Sequence, residues 1–400
     1  MKTTWKTFMD SLDQQRQAPA VRESRNAVVA AGAGSGKTRV LSMRYLYLVK
    51  DQGISPSRIM CLTFTRKAAA EMRSRIRSML LSASKDDAVF GAALESFADS
   101  KVGTLDSFCS ELARNSCARW GVAPDFEVDD QSASESTYQT AMEYLLETRN
   151  REFASQFIAW NGFESALDAL STIANEKGGV FGAADAWINP DEAGHAMARL
   201  MKTLSGQLAQ MLQEGLSYDA GATKGGLAWQ DHSQKYGPVF EAFDPLDPQS
   251  LAKAREGWTA IRPERKPASN SKASGPLYYN QCADSVKKRI DILRLADAAL
   301  SDGRRKDLHE FVCEFLSRAA KKRAAANVLG FSDIAWMARR ALLDDLELRS
   351  WYKKHYDAIM IDEFQDNNEL QKDILYLLSE RRDLEGVSGR VPVAADLREG

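Results

Sequence analysis

Short apolar runs and amphipathic helical stretches alternate along the first 120 or so residues, and the alternation resumes near residue 330. Val28 to Ala31 is an apolar run that leads into glycines and then into a helical pattern through Val40, Leu41, Tyr45 and Leu48. Arg58 to Thr63 (RIMCLT) reads as a second buried strand. It precedes a helix with Ala69, Met72, Ile76, Met79 and Leu80 on one face and Arg66, Lys67, Arg73, Arg75 and Arg77 on the other. Lys101 to Asp106 (KVGTLD) is a third strand-like piece, with a helix following to about Arg119. Tyr356 to Ile361 is an apolar strand closed by Asp362 and Glu363. Strands separated by helices in this way predict an α/β unit built on a parallel sheet.

Between Ala123 and Asn327 the alternation stops and helical stripes take over. Tyr138, Ala141, Met142, Leu145 and Leu146 fit helical spacing. So do Met197, Leu200, Met201, Leu204, Leu208, Met211 and Leu212, and Leu308, Phe311, Val312, Phe315 and Leu316. Such stripes are the signature of helix–helix core. The expected organisation is therefore an α/β domain in two parts, 1–122 and 328–400, with an all-α domain at 123–327 inserted between them.

Composition adds limits rather than a function. A net charge of −2 gives no global case for a polyanionic partner, so any such case rests on local patches. Five scattered cysteines without a CxxC pair argue against a disulfide framework or a zinc or iron–sulfur site. No run has the apolar length of a membrane span, and the N-terminus lacks the apolar core of a signal peptide, so a cytoplasmic location is expected by default. The span Lys253 to Arg289 is rich in Lys and Arg with Trp258, Tyr278 and Tyr279 interspersed, and includes the loop RPERKPASNSKASGP. It reads either as a phosphate-contacting patch or as a solvated linker.

Chemistry concentrates at the strand ends. In VVAAGAGSGKT a strand, a glycine loop and a helix follow in the order a phosphate-binding loop requires, although the strict pattern wants Gly at Ala31. Glycines let backbone N–H groups turn toward an anion, and the helix N-terminus adds its positive dipole end. Lys37 can reach the β- and γ-phosphates of a nucleoside triphosphate, and the Thr38 hydroxyl can ligate Mg²⁺. Asp362 and Glu363 have the form of a Walker B element, one carboxylate for the metal shell and one to activate water. The run Thr63-Phe64-Thr65-Arg66-Lys67 supplies hydroxyls, an aromatic face and charge together, the parts of a single-stranded nucleic-acid platform; a solvated basic helix face is the bland alternative. Thr104, Ser107 and Phe108 repeat the hydroxyl–aromatic combination at another strand end, where open α/β sheets put their ligands.

The segments AGAGSGKTRVL, LTFTRKAAAEMRSRI, GTLDSFC and IDEFQD resemble, in order, motifs I, Ia, Ib and II of superfamily 1 helicases of the UvrD/Rep type. The long insertion and Ser107-Phe108-Cys109 look closest to the RecB/AddA helicase–nuclease branch. The resemblance implies a RecA-like P-loop NTPase fold with ATP and Mg²⁺ as cofactors. Family members commonly begin this loop with Ala-Gly, which accommodates Ala31. Gln15 would read the adenine, and Ala31, Gly32, Ala33, Gly34, Ser35, Gly36, Lys37, Thr38 and Arg39 would surround the nucleotide. Thr38 and Asp362 would hold the metal, Glu363 would be the catalytic base, and Gln365 would couple the γ-phosphate state to a partner domain. Thr63, Phe64, Thr65, Arg66, Thr104, Ser107 and Phe108 would face DNA. The implied activity is ATP-driven 3′–5′ translocation on single-stranded DNA with duplex separation in repair or recombination. The resemblance also allows for a protein partner, a second helicase–nuclease subunit, with no membrane involved. The rivals are a P-loop NTPase of another class and a nucleotide- and DNA-binding module without turnover. The family's second RecA-like domain with its arginine fingers does not follow by Gly400, so a fragment inactive on its own is the expectation.

Overall fold

The computed structural model describes the chain apart from residues 1–3, 33, 176–177, 188–189, 222, 264–272, 302–304, 385 and 399–400. It divides into two compact units, one formed by residues 1–119, 123–125 and 334–400, the other by 120–122 and 126–333.

The first unit is built on a three-stranded parallel sheet in the order β2-β1-β5, with β1 Ile59–Thr63, β2 Lys101–Thr104 and β5 Ala358–Ile361. β1 is buried along its whole length, as a strand covered on both faces must be, which explains its apolar sequence as far as Thr63. In register, Thr63 lies opposite Thr104 and Leu62 opposite Ile361. The ladder runs one residue further, where the Asp362 N–H donates to the Leu62 carbonyl at 2.9 Å. The carboxyl ends of all three strands therefore share one edge of the sheet. One face is packed by Tyr45, Leu46, Met72, Ile76, Leu80, Phe90 and Phe97 from the flanking helices.

The run Val28–Ala31 departs from expectation, because it forms no strand. Val28 is 91% exposed and Val29 51%. Both edges of β1 are taken by β2 and β5, and no strand of the described residues lies beside this run. Without a ladder, an extended apolar run has nothing to satisfy its backbone groups or cover its side chains. Its neighbour Asn26 instead donates from its side chain to the Arg398 carbonyl.

The second unit is helical apart from a two-residue parallel pairing of β3 (Glu127–Val128) with β4 (Val328–Leu329). That pairing brings the entry and exit of the inserted segment together. The stripes of Met197–Leu212 and Leu308–Leu316 are core positions, joined by Phe157, Trp187, Phe240 and Trp258. In the Asp130–Thr148 helix the expected stripe is buried only in part, at Ala141 and Leu145, and the buried face is turned from the one expected. Tyr138, Met142 and Leu146 are exposed, while Thr137, Ala141, Tyr144 and Thr148 are buried. Threonine hides its polarity there by donating to the carbonyl one turn back, Thr137 to Ala133 at 3.1 Å and Thr148 to Tyr144 at 2.6 Å. Inside the unit, buried Arg323 pairs with buried Asp333 at 2.5 Å and also donates to the Ala133 carbonyl and the Thr137 hydroxyl. Trp258 and Tyr279 are core residues and offer no stacking surface, which removes two of the three aromatics from the expected basic patch. The centre of that patch, residues 264–272, lies outside the described residues.

Candidate nucleotide site and strand edge

The loop after Val28–Ala31 turns tightly before the Lys37–Lys50 helix. The Ser35 N–H and hydroxyl both donate to the Gly32 carbonyl, at 3.3 and 2.7 Å. Gly34 and Gly36 have φ of 75° and 86°, a region that glycine enters without Cβ strain. Gly36 caps the helix without any side-chain acceptor, so the first-turn N–H groups have no capping group at the N-terminal end of the dipole. Ala31, Gly32, Gly34 and Ser35 are exposed along this turn, and Ala33 lies outside the described residues.

Lys37 opens the helix and its Nζ lies 3.1 Å from Glu363 Oε1. Glu363 follows β5 directly and has φ 56° and ψ 49°, a left-handed conformation that is costly for a residue with a Cβ. Gln365 donates its amide to the other Glu363 oxygen. Those two contacts, Gln365 first and Lys37 next, hold the Glu363 carboxyl below its usual range. Asp362 moves the other way. Partial burial raises it first, and the neighbouring Glu363 charge adds to the rise. A divalent cation at Asp362 would oppose both effects. Among the described residues no cluster of three metal-binding side chains exists, so an ion held by Asp362 and Thr38 would complete its shell with phosphate oxygens and water.

Residues 12–385 match the family model of the UvrD/REP helicase N-terminal domain. The chain belongs to that family. It is 27% identical to an ATP-dependent helicase/nuclease subunit of Lactococcus lactis subsp. cremoris (strain SK11), covering 92% of this chain and 35% of that protein. An exonuclease/helicase subunit RexA of Lactococcus lactis subsp. cremoris (strain MG1363) gives 27% with the same coverage. An ATP-dependent helicase/nuclease subunit of Streptococcus equi subsp. zooepidemicus (strain MGCS10565) gives 26%, over 91% of this chain and 33% of its own length. The chain thus spans about a third of the length of the curated relatives it matches.

The residues singled out in the sequence fall into different surroundings in this UvrD/REP-type domain. The glutamine that touches the glycine loop is Gln17, not Gln15. Its Nε2 donates to the Ser35 carbonyl at 3.2 Å and lies 3.3 Å from where a Gly36 Cβ would be. Gln15 is exposed, and its backbone N–H donates to Asp13. Arg39 points away from the loop toward Ser11, donating to that hydroxyl at 2.5 Å.

At the strand edge Phe64 is 48% exposed, with Thr65, Arg66 and Ser107 also exposed. Thr65 caps the Arg66–Ala83 helix by accepting from Ala68 N–H at 3.1 Å. Thr63 and Thr104 are buried, so neither hydroxyl faces solvent. Thr63 donates to the Thr65 carbonyl at 3.0 Å, and Thr104 caps the Leu105–Ser116 helix by accepting from Ser107 N–H at 3.1 Å. Phe108 is fully buried, edge-on to Tyr352 with ring centres 5.6 Å apart. A ring in that position cannot stack on a base, and its expected role in DNA contact is withdrawn. The spacing of Leu105, Phe108, Cys109 and Leu112 already carried the signal, since it is a helical core stripe.

Proposed function

We propose that this chain is the ATP-binding part of a DNA helicase that works within a helicase–nuclease, moving 3′ to 5′ on single-stranded DNA. The observation that carries the nucleotide half is the Lys37–Glu363 contact of 3.1 Å, which brings the glycine loop and the β5 acids to one point on the sheet edge. Lys37 binds the β- and γ-phosphates with the loop N–H groups, while Thr38 and Asp362 hold Mg²⁺. The ion, when bound, draws charge from the transferring phosphoryl group. Once a phosphate occupies Lys37, Glu363 loses a cation that lowers its pKa and becomes a stronger base toward an attacking water. Gln365 keeps that carboxylate oriented.

The DNA half rests on Phe64, Thr65, Arg66 and Ser107, exposed beside the ends of β1 and β2. Phe64 stacks on a base and Arg66 meets a phosphate. The relatives are named as subunits of a helicase/nuclease, which supports a complex with a second protein.

The test is binding of labelled oligo-dT by anisotropy. Phe64→Ala should weaken binding by a factor of roughly 5 to 150, the worth of one stacked base at ~1–3 kcal/mol. Affinity should also fall with salt. Unchanged affinity in Phe64→Ala would remove this edge from the DNA path. Stimulation of ATP hydrolysis by single-stranded DNA in a full-length protein would separate this reading from a P-loop NTPase that ignores DNA.

A further inference from the structure

We propose that Gln371 and Asp106 form a positioning pair that links the nucleotide-side loop to the strand edge that carries DNA. The proposal rests on the functional reading above and names residues that it leaves unassigned.

Gln371 is 5% exposed and uses both ends of its amide. Its Oε1 accepts from Asn368 N–H at 3.0 Å, while the Asn368 side chain accepts from Gln371 N–H at 2.9 Å, a complete capping box at the start of the Glu369–Ser379 helix. Its Nε2 is turned the other way and donates to Asp106 Oδ1 at 2.8 Å. A capping box needs only the acceptor. The second bond joins residues 265 positions apart.

Each side of that bond is tied to one of the two proposed ligand sites. From Glu363 onward the chain is tied by successive bonds. Asp366 N–H donates to the Glu363 carbonyl at 3.0 Å, the Asn367 side chain donates to the Phe364 carbonyl at 3.0 Å, and the capping box follows. A change at Glu363 is therefore passed to Gln371 rather than absorbed in between. On the other side, Asp106 stands in the first turn of the Leu105–Ser116 helix, two residues after the cap residue Thr104 and adjacent in sequence to Ser107. Thr104 is in register with Thr63, the residue before Phe64.

The two states are set by Lys37. With Lys37 on Glu363, the segment after β5 is pinned, and Glu363 is held in its left-handed conformation. A phosphate that takes Lys37 releases that pin, and the segment can relax. Gln371 then shifts relative to Asp106, or carries it along. Linkage makes the effect reciprocal, so DNA at the edge alters nucleotide affinity by the same factor.

The test measures linkage, which a helix cap alone would not alter. Oligo-dT affinity is measured with and without a saturating non-hydrolysable ATP analogue and Mg²⁺, and the ratio is expected to depart from one by roughly 5-fold or more in the unaltered protein. Gln371→Glu keeps the acceptor of the capping box but faces Asp106 with a second carboxylate, and should bring the ratio to within about 2-fold of one. Asp106→Asn still accepts from Gln371 and should keep the ratio. Combining Gln371→Glu with Asp106→Asn reverses the direction of the hydrogen bond and should restore it. A wild-type ratio in Gln371→Glu, or no rescue in the double variant, would overturn the pair. Both ligands binding with a ratio of one in the unaltered protein would overturn it too, while leaving the proposed function standing. Failure of either ligand to bind would overturn both.

Discussion

Replacing Glu363 by glutamine should tighten ATP binding. In the structure Lys37 is engaged by Glu363 at 3.1 Å, so an incoming γ-phosphate must displace a carboxylate. The side chains are 33% and 38% exposed, which places the pair in the range of surface ion pairs rather than buried ones. Such pairs are worth about 0.2–1 kcal/mol, so removing the competitor should lower the dissociation constant for Mg²⁺–ATP by a factor of roughly 1.5 to 5. Removing a negative charge beside the phosphates acts in the same direction. The gain should shrink as salt is raised, since a half-exposed pair is screened. Titration of a fluorescent ATP analogue into both proteins at low and high ionic strength would measure it. Equal or weaker binding by Glu363→Gln at low salt would show that the Lys37–Glu363 contact does not compete with nucleotide.

Phe108→Ala should behave as a core truncation, costing about 3–5 kcal/mol of stability with no selective loss of oligo-dT binding by the protein that remains folded. A thermal melt beside an anisotropy titration would check it, and lost DNA affinity at unchanged stability would return Phe108 to the DNA surface. The Arg58–Asp357 clamp ties the start of β1 to the residue before β5, and Arg58 together with Arg382 holds the Asp357 carboxyl down at about 2. Because the folded value lies below the unfolded one of about 3.9, this stabilisation is present above about pH 4 and is lost as the pH falls toward 2. Arg58→Ala should therefore lower the melting temperature near neutral pH, with the gap to the unaltered protein closing in acid; a gap independent of pH would contradict the assignment.

The parts of the site legible in the sequence were those fixed by local order along the chain. Glycines, Lys37 and Thr38 in succession announce a phosphate loop even though the apolar run before them forms no strand, and an apolar strand ending in Asp362-Glu363 announces its counterpart. Their meeting some 300 residues apart is a matter of β5 pairing with β1, which two short apolar runs cannot specify by themselves. Gln15 and Gln17 are two residues apart in a polar run, and the turn at Asp13 decides which one reaches Ser35. The Asn368–Gln371 capping box is visible as a spacing, but nothing local reveals that the same amide also reaches Asp106. Phe108 and the threonines of the Asp130–Thr148 helix are hard to place from residue type for opposite reasons. The neighbours of Phe108 at a strand end suggest a ligand contact, while its helical period marks it as core. The threonines belong to no apolar stripe, because their hydroxyls look polar until the carbonyl one turn back accepts them.

The most direct test of the account is calorimetric titration of Mg²⁺–ATP into the purified chain and into Lys37→Ala. The account predicts saturable binding by the first and its loss in the second, with Thr38→Ala weakening the part that depends on Mg²⁺. Equal affinity in Lys37→Ala would place the nucleotide elsewhere and contradict the assignment of the Lys37–Glu363 junction as the ATP site.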